Sequence, residues 1–331
     1  MSIINDILNS ESKIREEGSK NEIKENKIEG KNLLVYKPVS FPNIYYPFLI
    51  QTINIENLDQ KILFSKIFIF YSFNNQEMTK YLQKCLINAS KEIITFIIDE
   101  LKGKFREVIK NKNGNYFCSN LIKISDQNNR IKILKELSNK LSEDSMDEFG
   151  TYPIQNLIEH ASTEYEFKLL LSSFNEYEKI LMPAINPHGT FVIQKLIRHI
   201  PENIRKEFNF IFVKFVSLLA RDTYGAFSLE KFVSYTNSEQ IQNQLFDSII
   251  NDFIKISTNK SGNYLIQNLL IKWWNNKKGE NIKSLIKSKY SILSNNIYSA
   301  HICELYNKLT KDNELSKHNE QSKFDSSNFN I

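Results

Sequence analysis

A nine-residue pattern recurs along this chain at nearly constant spacing. GNYFCSNLI begins at Gly114, GTYPIQNLI at Gly150, GTFVIQKLI at Gly189, GAFSLEKFV at Gly225 and GNYLIQNLL at Gly262, and degenerate copies start at Met78 (MTKYLQKCL) and Ser299 (SAHICELYN). Successive starts lie 36, 36, 39, 36, 37 and 37 residues apart. A period in this range is that of a stacked solenoid, because one helical hairpin or triplet cannot bury its own apolar face and must lean on its neighbours. Five of the chain's nine glycines sit in the pattern. A doubly wound nucleotide-binding enzyme, which places glycine in phosphate loops and tight turns, is therefore a poor fit.

The pattern reads as a helix. The glycine place is its entry, with Asn115, Thr151, Thr190 and Asn263 as expected caps. Four residues on comes an apolar position (Leu82, Cys118, Ile154, Ile193, Leu229, Ile266, Cys303), and three further another (Cys85, Leu121, Leu157, Leu196, Phe232, Leu269, Tyr306). That spacing puts both on one buried face. The three cysteines occupy such places and are expected to act as small core residues; they form no CxxC or metal-ligand spacing, so no disulfide and no metal is expected. Stretches such as EIITFIIDELKGKFREVI and RIKILKELSNKL carry helical periodicity, and period-two alternation is scarce. The fold class expected is all-α, a right-handed crescent solenoid of seven to eight three-helix repeats.

A second set of positions shares a different face. Counted from the residue after the glycine place, the first and fifth members are Thr79/Gln83, Asn115/Ser119, Thr151/Gln155, Thr190/Gln194, Ala226/Glu230, Asn263/Gln267 and Ala300/Glu304. Next to the first member stands Lys80, Tyr116, Tyr152, Phe191, Phe227, Tyr264 or His301, a ring in six of seven copies. Stacked one repeat per step, these would form a ladder of rings and amides. Such a ladder suits single-stranded nucleic acid: bases slot between rings, at roughly 1–3 kcal/mol per base, while the polar arms reach base edges. Gln both donates and accepts; Glu only accepts, which favours guanine.

Charge supports this only mildly. The chain carries 43 Lys+Arg and 38 Asp+Glu for a net +5; residues 1–32 and 311–331 are each −1, leaving +7 for residues 33–310. Both ends are polar and aperiodic and are expected to be disordered tails, with residues 33–75 a cap or a degenerate repeat and 76–310 the solenoid. The most apolar stretch, residues 61–73, is too short for a membrane span, and no secretory leader is read at the N-terminus. Scattered histidines (His160, His188, His199, His301, His318) and unpaired acidic residues argue against an enzyme, and no cofactor is expected. His188 reads as a turn residue, and one of Trp273 and Trp274 as a packing residue.

The copies GNYLIQNLL, GTFVIQKLI and GTYPIQNLI, with NPHGTFVIQKLIRHIP over residues 186–201, resemble the Pumilio (PUF) repeats of RNA-binding proteins over about 250 residues. The resemblance implies a concave face that binds single-stranded RNA antiparallel to the protein, and repression of messages through 3′ untranslated regions. It implies that Asn263, Tyr264 and Gln267 form a uridine-reading triplet and that Glu304, with Ala300 and His301 in unusual places, reads guanine, giving a GU core. Ala226/Phe227/Glu230 suggests guanine. Thr151/Tyr152/Gln155 and Thr190/Phe191/Gln194 are left as uridine or adenine, and Asn115/Tyr116/Ser119 and Thr79/Lys80/Gln83 as loose readers at the 3′ end of the site. It further implies a cytoplasmic monomer that recruits deadenylase or translation-repression proteins on its convex face. Two other readings stand beside it: a nucleolar ribosome-assembly factor of the same fold with low sequence preference, and a HEAT- or armadillo-like peptide scaffold, whose period of about 40–47 residues is longer than this one.

Overall fold

In the computed structural model the chain divides into residues 1–58 and 59–331. The structure describes residues 60–327, with side chains through Asn313. The expected tail 1–32 and most of the expected cap 33–75 lie outside these residues. The described part of the second unit is built of helices, with no strand among them.

The helices fall into seven triplets. Repeat one is α1 (Gln60–Leu63), α2 (Lys66–Ser72) and α3 (Gln76–Ile87); repeat two is α4 (Lys91–Glu100), α5 (Phe105–Lys110) and α6 (Gly114–Ile124). Repeat three is α7 (Gln127–Leu137), α8 (Leu141–Asp144) and α9 (Thr151–His160); repeat four is α10 (Glu164–Leu171), α11 (Tyr177–Ala184) and α12 (Gly189–His199). Repeat five is α13 (Lys206–Lys214), α14 (Val216–Arg221) and α15 (Thr223–Ser234); repeat six is α16 (Glu239–Asn251), α17 (Phe253–Ser257) and α18 (Gly262–Trp273). Repeat seven is α19 (Lys277–Ser288), α20 (Tyr290–Ser294) and α21 (Ala300–Ser327).

Two boundaries differ from the expectation. Residues 60–75 supply the first two helices of repeat one and pack on α3, so that repeat reaches back into the expected cap. At the other end α21 runs through residue 327, across most of the segment expected to be a disordered tail. The chain from 300 to 327 has neither Gly nor Pro to stop a helix already nucleated by repeat seven.

Most first helices start at a polar cap: Ser90, Asp126, Thr163, Ser238 and Asn276 each accept a backbone N–H of the first turn. The third helices are capped differently from the expectation. Asn115, Thr151, Thr190 and Asn263 are not the caps. That work falls to an Asn or Asp three residues before the glycine place in all seven repeats. Asn111, Asp147, Asn186, Asp222, Asn259 and Asn296 each accept the N–H groups of the glycine place and of the residue before it at 2.8–3.1 Å, and Asn75 accepts the Met78 N–H at 3.1 Å.

The glycines are there for space. A Cβ on Gly262 would lie 2.3 Å from the carbonyl oxygen of Ile256, and one on Gly189 would lie 2.7 Å from that of Pro183, the equivalent atom six residues back. The second helix of each repeat thus passes against the first turn of the third. In repeat seven Ser299 takes the place, and its hydroxyl donates to the corresponding Leu293 carbonyl at 2.8 Å. Gly262→Ala forces backbone apart and is expected to cost about 1–3 kcal/mol. A urea midpoint that stays at the wild-type value would contradict this.

Between repeats the interior is apolar and aromatic. Phe117 contacts Phe64 and Phe73 across repeats one and two, Phe174 meets Phe208 across repeats four and five, and within repeat five the tilted rings of Phe212 and Phe232 lie 4.8 Å apart. Cys118 and Cys303 are buried as expected, and burial pushes the Cys118 thiol up to about 12; Cys85 is half-buried. Both tryptophans pack: Trp273 is buried against Phe246, and Trp274 sits beside Tyr306 with Lys283 over its ring at 4.1 Å.

Two buried carboxylates tie neighbouring repeats together. Asp144 accepts Arg106 Nε at 2.9 and 3.0 Å and Lys110 Nζ at 2.6 Å, joining repeats two and three. Glu166 accepts Arg130 Nε at 2.9 Å, joining repeats three and four. It also closes a capping box with Thr163.

Candidate nucleic-acid interface

Third helices of successive repeats lie side by side, so any position repeated on them forms a row. The ring positions make such a row. Tyr116, Tyr152, Phe191, Phe227 and Tyr264 are 52–63% exposed, an unusual state for five aromatic side chains on helices whose other faces are core. Lys80 and His301 continue the row at its two ends and are also exposed. Their exposure follows from helical geometry. The apolar positions of each third helix fill the inter-repeat core, and the ring, two residues before the first of these, is turned about 200° away from them and so outward.

The predicted base-edge pairs divide. The second members reach the surface side: Gln83, Gln155, Gln194, Glu230 and Gln267 are half-buried and Glu304 is exposed, whereas Ser119 is buried. The first members do not present a polar edge to solvent. Thr79, Asn115, Thr151, Thr190 and Asn263 are 1–2% exposed, and Ala226 and Ala300 are half-buried and carry no polar group. These residues lie where adjacent third helices meet, and all their polar side-chain atoms but Asn115 Oδ1 are bonded internally. The Thr151 hydroxyl donates to His188 O and that of Thr190 to Tyr224 O, both at 3.1 Å and both in the next repeat. His188 thus serves a turn, as expected, through its backbone. Asn115 Nδ2 donates to Asn111 O and Lys112 O, Asn263 Nδ2 to Asn259 O and Lys260 O, and the Thr79 hydroxyl to Ser72 O.

The first member nevertheless shapes the second. Gln155 Nε2 donates to Thr151 Oγ1 at 3.2 Å, Gln194 Nε2 to Thr190 Oγ1 at 3.0 Å, and Gln267 Nε2 to Asn263 Oδ1 at 2.9 Å. Each arm is thereby held beside its ring with one amide hydrogen committed. The carbonyl oxygen and the other hydrogen remain for an incoming edge. The polar first-position residues, expected at base edges, are thus buried behind the row of rings and bonded within the protein. What sequence reasoning missed altogether was the Asn or Asp before each glycine, visible in the seven copies as a fixed offset.

At the C-terminal end the row opens into a cleft of about 410 Å³ lined by Tyr264, Gln267, His301, Glu304, Leu305 and Lys308. Two flat side chains, an amide arm, a carboxylate and a lysine thus converge there. His301 Nδ1 lies 3.2 Å from Glu304 Oε2, so the histidine steadies the carboxylate beside the ring place.

The chain matches the family model described as the Pumilio-family RNA binding repeat over residues 81–102, 145–171, 184–207, 216–250 and 252–272. Each matched segment takes in all or most of one third helix, those of repeats one, three, four, five and six. These are Pumilio-family repeats. Among similar curated proteins, Pumilio homolog 12 of Arabidopsis thaliana is 24% identical over 258 residues, 75% of this chain and 42% of that protein. Pumilio homolog 11 of the same plant is 25% identical over 71% of this chain and 42% of that protein. The chain spans about two-fifths of the length of these relatives. Among solved structures, the Puf4 RNA-binding domain bound to the HO endonuclease RNA 3′ UTR recognition sequence superposes with a TM-score of 0.66 at 22% identity, covering 70% of this chain and 72% of that one. The RNA-binding domain of yeast Puf5p bound to AAT2 RNA gives 0.66 at 19% identity, with coverage of 76% and 71%. At these identities the likeness is one of fold. The repeat built on Gly114 lies outside the segments that the family model matches, and its ring and cap follow the same register as the others.

Proposed function

We propose that this protein is a sequence-selective binder of single-stranded RNA that represses messages in the cytoplasm through elements in their 3′ untranslated regions. The observation that carries the reading is the row of five exposed rings, four of them beside a half-buried Gln or Glu arm, on one face of the Pumilio stack. Exposed aromatic rings at one per repeat offer stacking faces to successive bases, and arms held by neighbouring side chains offer fixed edges. The 3′ UTR sequences named with the Puf4 neighbour support messages as the targets. With a net charge of +7 in residues 33–310, phosphate attraction is modest and base stacking supplies much of the affinity.

A GU core is proposed for the cleft at repeats six and seven. Gln267 presents a donor and an acceptor as uracil requires, and Glu304 presents acceptors only, as the paired N–H donors of guanine require. Glu304→Gln is expected to weaken binding of a GU-containing oligonucleotide and to strengthen the UU counterpart, a change in preference of roughly 1–3 kcal/mol. Titration of the two oligonucleotides against both proteins at one salt concentration checks it. Equal affinities for guanine and uridine in the wild type would defeat the assignment.

A further inference from the structure

The first two repeats carry the same set of positions in opposite states. In repeat one the ring place holds a lysine, and the arm is tied to the neighbouring repeat. The Thr79 hydroxyl donates to Ser72 O and Asn75 O, Lys80 pairs with Glu77 at 2.9 Å in place of a ring, and Gln83 Oε1 accepts Asn120 Nδ2 at 3.0 Å. Asn120 belongs to repeat two, so the arm of repeat one is tied down by its neighbour. Even with its ion pair open, Lys80 offers a phosphate a charge but offers a base no stacking face.

Repeat two is open. Tyr116 is among the exposed rings, and beneath it Asn115 Oδ1 and Ser119 Oγ are buried without a hydrogen-bond partner among the described residues. In repeat six the equivalent Asn263 Oδ1 receives the Gln267 amide; Ser119 has no amide to offer. Both atoms are enclosed, so what repeat two offers a base is the exposed Tyr116 face, with no side-chain arm of its own tied to a neighbouring repeat.

Building on the RNA-binding reading, we infer that the base register opens at repeat two and that repeat one is a closed end cap, so the protein reads six consecutive bases with repeats two to seven. The seventh nucleotide, on the 3′ side in the antiparallel run implied by such repeats, is not read.

The test uses the full chain and fluorescently labelled single-stranded oligoribonucleotides derived from a sequence enriched from a random pool, cut to five, six and seven nucleotides at the 3′ end. The expected result is a fivefold or greater gain from five to six nucleotides and less than a twofold difference among the four bases at the seventh. Tyr116→Ala, with its thermal midpoint unchanged, should erase the gain at the sixth, and Gln83→Ala should change nothing. A fivefold preference among bases at the seventh position, or a fivefold loss in Gln83→Ala, would overturn the six-base register while leaving RNA binding intact. If no oligonucleotide of any length bound, the RNA-binding reading would fall and this inference with it.

Discussion

Tyr264→Ala is expected to weaken binding of a GU-containing single-stranded oligoribonucleotide by roughly 1–3 kcal/mol while leaving the unfolding midpoint where it was. The ring is the most exposed of the five in the row and lines the cleft with Gln267, His301 and Glu304. Its removal takes away a stacking face on the ligand side and little packing on the protein side. Gln267→Ala should lose affinity in the same range, through the base edge instead of the base face. It also frees Asn263 Oδ1, so a small stability loss accompanies it. Tyr165→Ala is the matched control, since Tyr165 is about half exposed on α10, a first helix, away from the row. Fluorescence anisotropy at fixed salt measures all three. Equal affinity loss in the control, or none in Tyr264→Ala, would remove the row from the binding surface.

The second large effect concerns stability. Glu166→Ala is expected to destabilise the solenoid by about 3–5 kcal/mol, because it leaves the guanidinium of Arg130 enclosed between repeats without its carboxylate. It also removes the acceptor for the Ser162 and Thr163 N–H groups and the Thr163 hydroxyl. Burial pushes the Glu166 carboxyl up, but bonds from Ser162, Thr163 and Arg130 outweigh it and hold the group below its ordinary value of 4.5. A carboxylate depressed in the folded state stabilises the fold fully above its unfolded value and loses that contribution as pH falls through the folded one. The wild type should therefore lose stability below about pH 4.5 more steeply than Glu166→Gln, whose side chain does not titrate. Urea titrations of the two proteins at stepped pH give the comparison. Parallel curves would show that Glu166 contributes no such linkage.

Much of the architecture was legible in the chain because a repeat protein writes its fold several times over. The glycine places, the apolar positions four and seven residues on, and the ring beside each first-position residue share one register. Seven copies average away the substitutions in any one of them, such as Lys80 for a ring or Ser299 for glycine. The capping Asn or Asp was equally repetitive and was passed over because the residues after the glycine look like caps by type. The C-terminal boundary misled for another reason. Composition at residues 311–327 is polar, but a helix begun under the packing of repeat seven propagates through residues that would not nucleate one alone.

Sequence alone determined the period, the all-helical class, the buried places and the exposed rings, since each depends on spacing along one helix and helical spacing is local. Whether a polar side chain at a surface-facing position is free or already bonded was decided only by the tertiary structure. Thr151 and Thr190 spend their hydroxyls on the carbonyls of the next repeat, Gln83 is held by Asn120, and Asn115 Oδ1 and Ser119 Oγ are enclosed without a partner among the described residues. Each of these outcomes depends on a group 34–37 residues away or on its absence, and the physical reason is that hydrogen bonds between stacked helices are set by how closely the helices approach. The glycines control that approach by admitting the neighbouring backbone, and it separates the arms that read from those that only hold the stack together.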